Sequence, residues 1–129
     1  MLPSMADARE LRRALLDLHR EALEAQRQET EQIGGRMTGA EVLQAAADDL
    51  RFSWLRNLSE LVSETDAALA AAEDDAARAA AEEDLVARSR ALLAPPDGES
   101  AFGRRYLRAL QEHPQVVLAH RDVVAALDG

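Results

Sequence analysis

The chain has 129 residues, one domain's worth and long enough to bury about two-thirds of its unfolded surface. Hydrophobic residues make up 47% and aromatics only 3%, with 27 alanines and 19 leucines, which is the profile of packed helices. Net charge is −9, all 15 cations are arginine, and the absence of cysteine excludes a disulfide scaffold, a thiolate zinc site and a cysteine nucleophile.

Ser4 reads as an N-cap, and from Met5 a helical pattern runs without Gly or Pro to Gly34-Gly35. At 100° per residue, Ala8, Leu11, Leu15, Leu18, Ala22, Ala25 and Ile33 share one stripe. Gln26 and Glu29 tilt toward that stripe. Either they line a polar pocket or the helix projects past the bundle and exposes them, and projection is the favoured reading. Thr38-Gly39-Ala40-Glu41 is a capping box, so a short helix is expected from Gly39 to about Asp48.

Arg51 to Ala72 forms the next periodic unit, with Trp54, Leu58, Leu61, Val62, Thr65 and Leu69 on one face and Phe52 well away from it, packing either on the short second helix or on another chain. Ala70 to Asp84 is alanine plus acid, and Asp74-Asp75 is the best candidate for a turn. A fourth helix carries Leu85, Val86, Ser89, Leu92 and Leu93 before Pro95-Pro96-Asp97-Gly98 forces a loop. Glu99 or Ser100 starts a fifth, with Phe102, Tyr106, Leu107 and Leu110. His113-Pro114 ends it, and Pro114 begins a sixth, with Val116, Val123, Val124 and Leu127 inward.

No strand-like alternation appears. The expected fold is all-α: a mostly antiparallel bundle of five to six helices with a long N-terminal helix. Residues 1–4 read as a disordered extension and 5–129 as one domain. The longest stretch without Asp, Glu or Arg is His113 to His120, far short of the about 20 apolar residues of a membrane span. No secretory signal is recognisable, so the cytoplasm is the expected location.

The runs Arg36-Met37-Thr38-Gly39-Ala40-Glu41, Phe52-Ser53-Trp54-Leu55-Arg56-Asn57-Leu58-Ser59-Glu60-Leu61 and Phe102-Gly103-Arg104-Arg105-Tyr106-Leu107 resemble a small uncharacterised bacterial family of all-helical proteins. The resemblance implies a helical bundle and a bacterial origin. It implies no activity, ligand or catalytic residue.

His19 and His120 fall among apolar residues on the first and last helices and so face the core. They could hold a metal, haem or small ligand with Glu29 as a third donor, or serve as hydrogen-bonded histidines that fix helix register. The register reading is favoured, because the Glu-x-x-His signature of di-iron bundles is absent. Arg104, Arg105 and Arg108 share a short helix. They either bind an acidic partner or pair with the chain's own acids at Asp74, Asp75, Glu82, Glu83 and Asp84, and self-pairing is favoured. From Glu73 to Asp84, six acids face one arginine, as in a solvated helix face or, less economically, a mimic of a phosphate backbone. No nucleotide-binding loop, nucleophile elbow or metalloprotease motif is present, so no enzyme activity and no cofactor are expected.

The function expected from this pattern is non-catalytic protein–protein contact, with a homodimer as one form. Phe52, Arg104, Arg105 and Arg108 are the candidate contact residues, and neither nucleic acid nor membrane is an expected partner. Charge is uneven: −1 over residues 1–36, −4 over 37–72, −4 over 73–98 and zero over 99–129.

Overall fold

Local chemistry sets each helix boundary in the computed structural model, which describes residues 7–128. Helix α1 spans Ala8–Gly34, and the Asp7 carboxylate accepts the Arg9 N–H at 2.9 Å as its N-cap. The cap expected at Ser4 and the start at Met5 lie outside the described residues, as does the N-terminal extension. Gly35 ends α1 with φ 86° and ψ 178°, a conformation essentially closed to side-chain-bearing residues. Glu31 then organises the turn. Its carboxylate accepts the Met37 N–H at 2.7 Å and pairs with Arg27 at 3.1 Å, and these contacts hold its pKa below the usual carboxylate range.

Helix α2, Gly39–Asp48, begins with the expected capping box between Thr38 and Glu41. The unit expected from Arg51 then divides in two. Leu50–Leu55 is a 3₁₀ segment, and α3 proper is Arg56–Ala71. Asp49 causes the division, because its side chain accepts the Arg51 N–H at 2.8 Å and its carbonyl accepts the Phe52 N–H at 2.9 Å. At three residues per turn, positions 52 and 55 eclipse each other. Phe52, which α-helical spacing throws off the apolar face, therefore lies wholly buried beside Leu55 and Trp54. Its expected role as an exposed contact residue is overturned.

Asp74 caps α4, Asp75–Leu93, and the turn falls where the acidic pair marks it. Ser100 caps α5, Ala101–Glu112, and Pro114 opens α6, Pro114–Asp128. The architecture is an all-α bundle with no strand among the described residues. No helix among them is long and apolar enough to cross a membrane.

Helix α1 is the axis, packing on α6, α3, the 3₁₀ segment and α4. Its start shares a shallow groove with the end of α6, where Glu10, Arg13 and Asp17 face Asp122 and Ala125. Gln28 near its other end meets Gln115 at the start of α6, so the two helices run antiparallel. The bidentate Arg12–Asp66 pair, at 2.8 Å, and the Gln26–Trp54 hydrogen bond place α3 antiparallel to α1 as well. Helices α3 and α4 pack as a hairpin joined by three residues, and the Arg90 guanidinium donates to the Leu127 carbonyl in the last turn of α6.

Two expectations for α1 change. Ile33 is 85% exposed despite its place on the apolar stripe, because the last turn of α1 outruns its packing partners. Gln26, expected to be exposed by that projection, is 3% exposed and lies inside the bundle. The projection is real but one turn long.

Candidate functional site

All four aromatic residues of the chain are buried, and three of them continue into an imidazole. Ring centroids run 6.0 Å from Trp54 to Phe102, 5.3 Å from Phe102 to Tyr106 and 5.5 Å from Tyr106 to His120. The Trp54 indole N–H donates to Gln26 Oε1 at 2.9 Å, and the Gln26 amide donates to Thr30 Oγ1 at 3.3 Å. At the other end, the Tyr106 hydroxyl lies 2.6 Å from His120 Nδ1. Burial raises the tyrosine pKa and lowers that of the histidine. The phenol therefore keeps its proton and donates to the neutral ring. The Tyr106 hydroxyl thus occupies His120 Nδ1 and ties α5 to α6.

His19 is half-buried on α1, and desolvation lowers its pKa. Neither it nor His120 belongs to a group of three donor side chains among the described residues. The one such group holds Glu29, as expected, but with Glu112 and His113, a donor atom from each lying within 4.8 Å of the others. Arg108 spans the two carboxylates, 3.2 Å from Glu29 and 3.4 Å from Glu112. Of the three arginines, Arg108 therefore finds its acids at Glu29 and Glu112 and not in the α4 stretch that the sequence favoured.

Arg104 and Arg105 have no carboxylate partner among the described residues; the Arg104 guanidinium donates to the Glu99 carbonyl at 3.2 Å. Both line a cleft of about 360 Å³ between the 3₁₀ segment and the first turn of α5, together with Leu50, Ser53, Trp54 and Phe102. Leu50 at this cleft is 84% exposed. Between Phe102 and Arg104, Gly103 faces the loop that precedes α5. A Cβ there would fall 1.5 Å from the Asp97 carbonyl oxygen, so the preceding loop folds onto the helix only because position 103 is glycine.

No protein-family model, curated protein or solved structure matches the chain.

Sequence reasoning missed His113, Glu112 and Leu50. His113 was visible as the residue before a proline, which fixed its backbone and hid the role of its ring. Leu50 carried a signal in standing beside Asp49, a cap that aborts regular helix.

Proposed function

We propose that the chain is a non-catalytic bacterial cytoplasmic protein that acts by protein–protein contact, with a second copy of itself as the partner. The observation that carries this reading is the cleft beside Leu50, where an exposed leucine and the edges of Trp54 and Phe102 lie with two arginines that lack an acidic partner. An apolar floor rimmed by guanidinium groups suits a helix bearing carboxylates and small residues. The chain carries such a helix. The first half of α4 is exposed along almost all of its length and presents Asp75, Glu82, Glu83 and Asp84 among alanines, and among the described residues only Asp84 of these four pairs, with Arg88 at 3.6 Å. Two such contacts related by a two-fold axis close a dimer. A net charge of −9 works against phosphate backbones and anionic lipid, and it leaves an acidic protein surface as the favoured partner of this one neutral, arginine-bearing end.

Light scattering and sedimentation across a salt series test the reading. The wild-type chain is expected to self-associate at low salt and to dissociate as salt screens the contact. The pair Arg104→Glu with Arg105→Glu should be monomeric, as should Glu82→Arg with Glu83→Arg, and mixing the two variants should restore association. A wild-type chain that stays monomeric at every salt and concentration overturns self-association, and association unaffected by either charge reversal overturns the cleft.

A further inference from the structure

We propose that Glu29, Glu112 and His113 form a binding site for a divalent transition metal of the zinc type, with Arg108 as its displaceable occupant. Glu29 comes from the second half of α1, and the other two from the corner where α5 gives way to α6. That corner is held firmly. Pro114 keeps His113 out of the helical region, at φ −130° and ψ 101°, while the His113 N–H donates to the Ala109 carbonyl and the His113 carbonyl accepts the Val116 N–H. The imidazole is thereby carried inward on a fixed backbone and is 8% exposed.

The second observation is independent of the carboxylates. His113 Nε2 is buried with no hydrogen-bond partner among the described residues, a costly condition for a ring nitrogen. Arg108 satisfies both carboxylates and leaves that nitrogen unpaired. A divalent ion taking the place of the guanidinium would be held by all three residues at once, through a ring nitrogen of His113 as well as the two carboxylates.

The donor set selects the metal. Magnesium and calcium take oxygen ligands, whereas one imidazole with two carboxylates suits zinc or its borderline neighbours, and three protein ligands leave a fourth position open. Tetrahedral zinc with bonds of about 2.0–2.1 Å sets its ligand atoms roughly 3.4 Å apart, so the group must contract from its present span. The carboxylates can supply that movement: the Glu112 side chain is 48% exposed, and that of Arg108 is 57% exposed on a long, mobile arm.

Titration calorimetry with Zn²⁺ and visible absorption with Co²⁺, both on the full chain, test the site. The expected result is one ion per chain, with cobalt bands of low coordination number. Glu112→Gln and His113→Gln should each weaken binding at least about 10-fold, and Arg108→Ala should tighten it by a similar factor as the competing cation is removed. Glu112 is exposed, so its variant reads the site even if His113→Gln does not fold. The proposal is overturned if neither the wild type nor Arg108→Ala binds an ion. It is equally overturned if binding survives both ligand substitutions, or if it is lost in His19→Gln or His120→Gln instead.

Discussion

The two halves of α1 lie on one cylinder and bury different chemistry. From Leu11 to Ala22 the inward positions are Leu11, Ala14, Leu15, Leu18 and Ala22, with Leu11, Leu15, Leu18 and Ala22 at zero exposure. From Ala25 onward they are Ala25, Gln26 and Thr30, while Glu29 lies at the edge beside Arg108. The neighbours explain the difference. The first half meets the apolar sides of α6 and α3. The second half meets an indole N–H, and a helix facing that donor has to supply an acceptor. The stripe is thus continuous in geometry and discontinuous in polarity, and both the buried polar relay and the three-donor group belong to its wet half.

The dry half should respond most strongly to truncation. Leu18→Ala removes a wholly buried side chain and should cost about 3 kcal/mol, within the 2–5 kcal/mol usual for such cavities, read as a lower urea midpoint at unchanged slope. A cost under about 1 kcal/mol would mean that this half collapses around the vacancy, and the contrast between the halves would fail.

In the wet half the loss is one of pairing. Gln26→Leu keeps the volume but orphans the Trp54 N–H, and should cost about 2 kcal/mol. Trp54→Phe should cost a similar amount, partly through lost ring area. The double variant sharpens the comparison: with both polar partners gone, the total should fall short of the sum of the single costs by about 1 kcal/mol. Strict additivity would show that the two groups are buried side by side without energetic dependence.

What was legible in the sequence follows the same divide. The capping box at Thr38, the turn at Asp74-Asp75, the helix start at Ser100, the glycine stop at Gly35 and the proline start at Pro114 all depend on residues within four positions of each other. They are readable because their physics is local. The dry stripe is readable because burial follows helical period. Gln26 was misplaced because its justification lies 28 residues away on Trp54, and the 100° projection itself misplaced Phe52 once the chain wound at three residues per turn. Glu29 was singled out as a donor beside His19 and His120, whereas the side chains that lie near it, His113 and Glu112, reach it only through the corner between α5 and α6.

The smallest expected effect separates the two classes of titrating group. Burial lowers the pKa of His19 and of His120, so the folded chain holds both rings neutral at pH values where the unfolded chain, titrating near its usual value of about 6.5, already takes up protons. Stability contributed by these rings is therefore complete above about pH 6.5 and declines as pH falls toward their folded-state values. The paired carboxylates act in the same direction but lower on the scale. Asp66 beside Arg12 and Asp49 beside Arg51 hold pKa values below the ordinary range, so what they contribute is lost only under more acidic conditions, starting near about pH 4. Urea unfolding measured from pH 8 to pH 3, with chelator present so that no bound ion contributes, should show two separate declines. His19→Gln should shrink the upper one and leave the lower untouched. His19 makes no hydrogen bond to Tyr106, whereas His120 does, so a substitution at 120 would mix the loss of that bond with the titration, and His19 is the cleaner probe. An upper decline of unchanged size in His19→Gln would mean that the ring on α1 is hydrated in the folded chain.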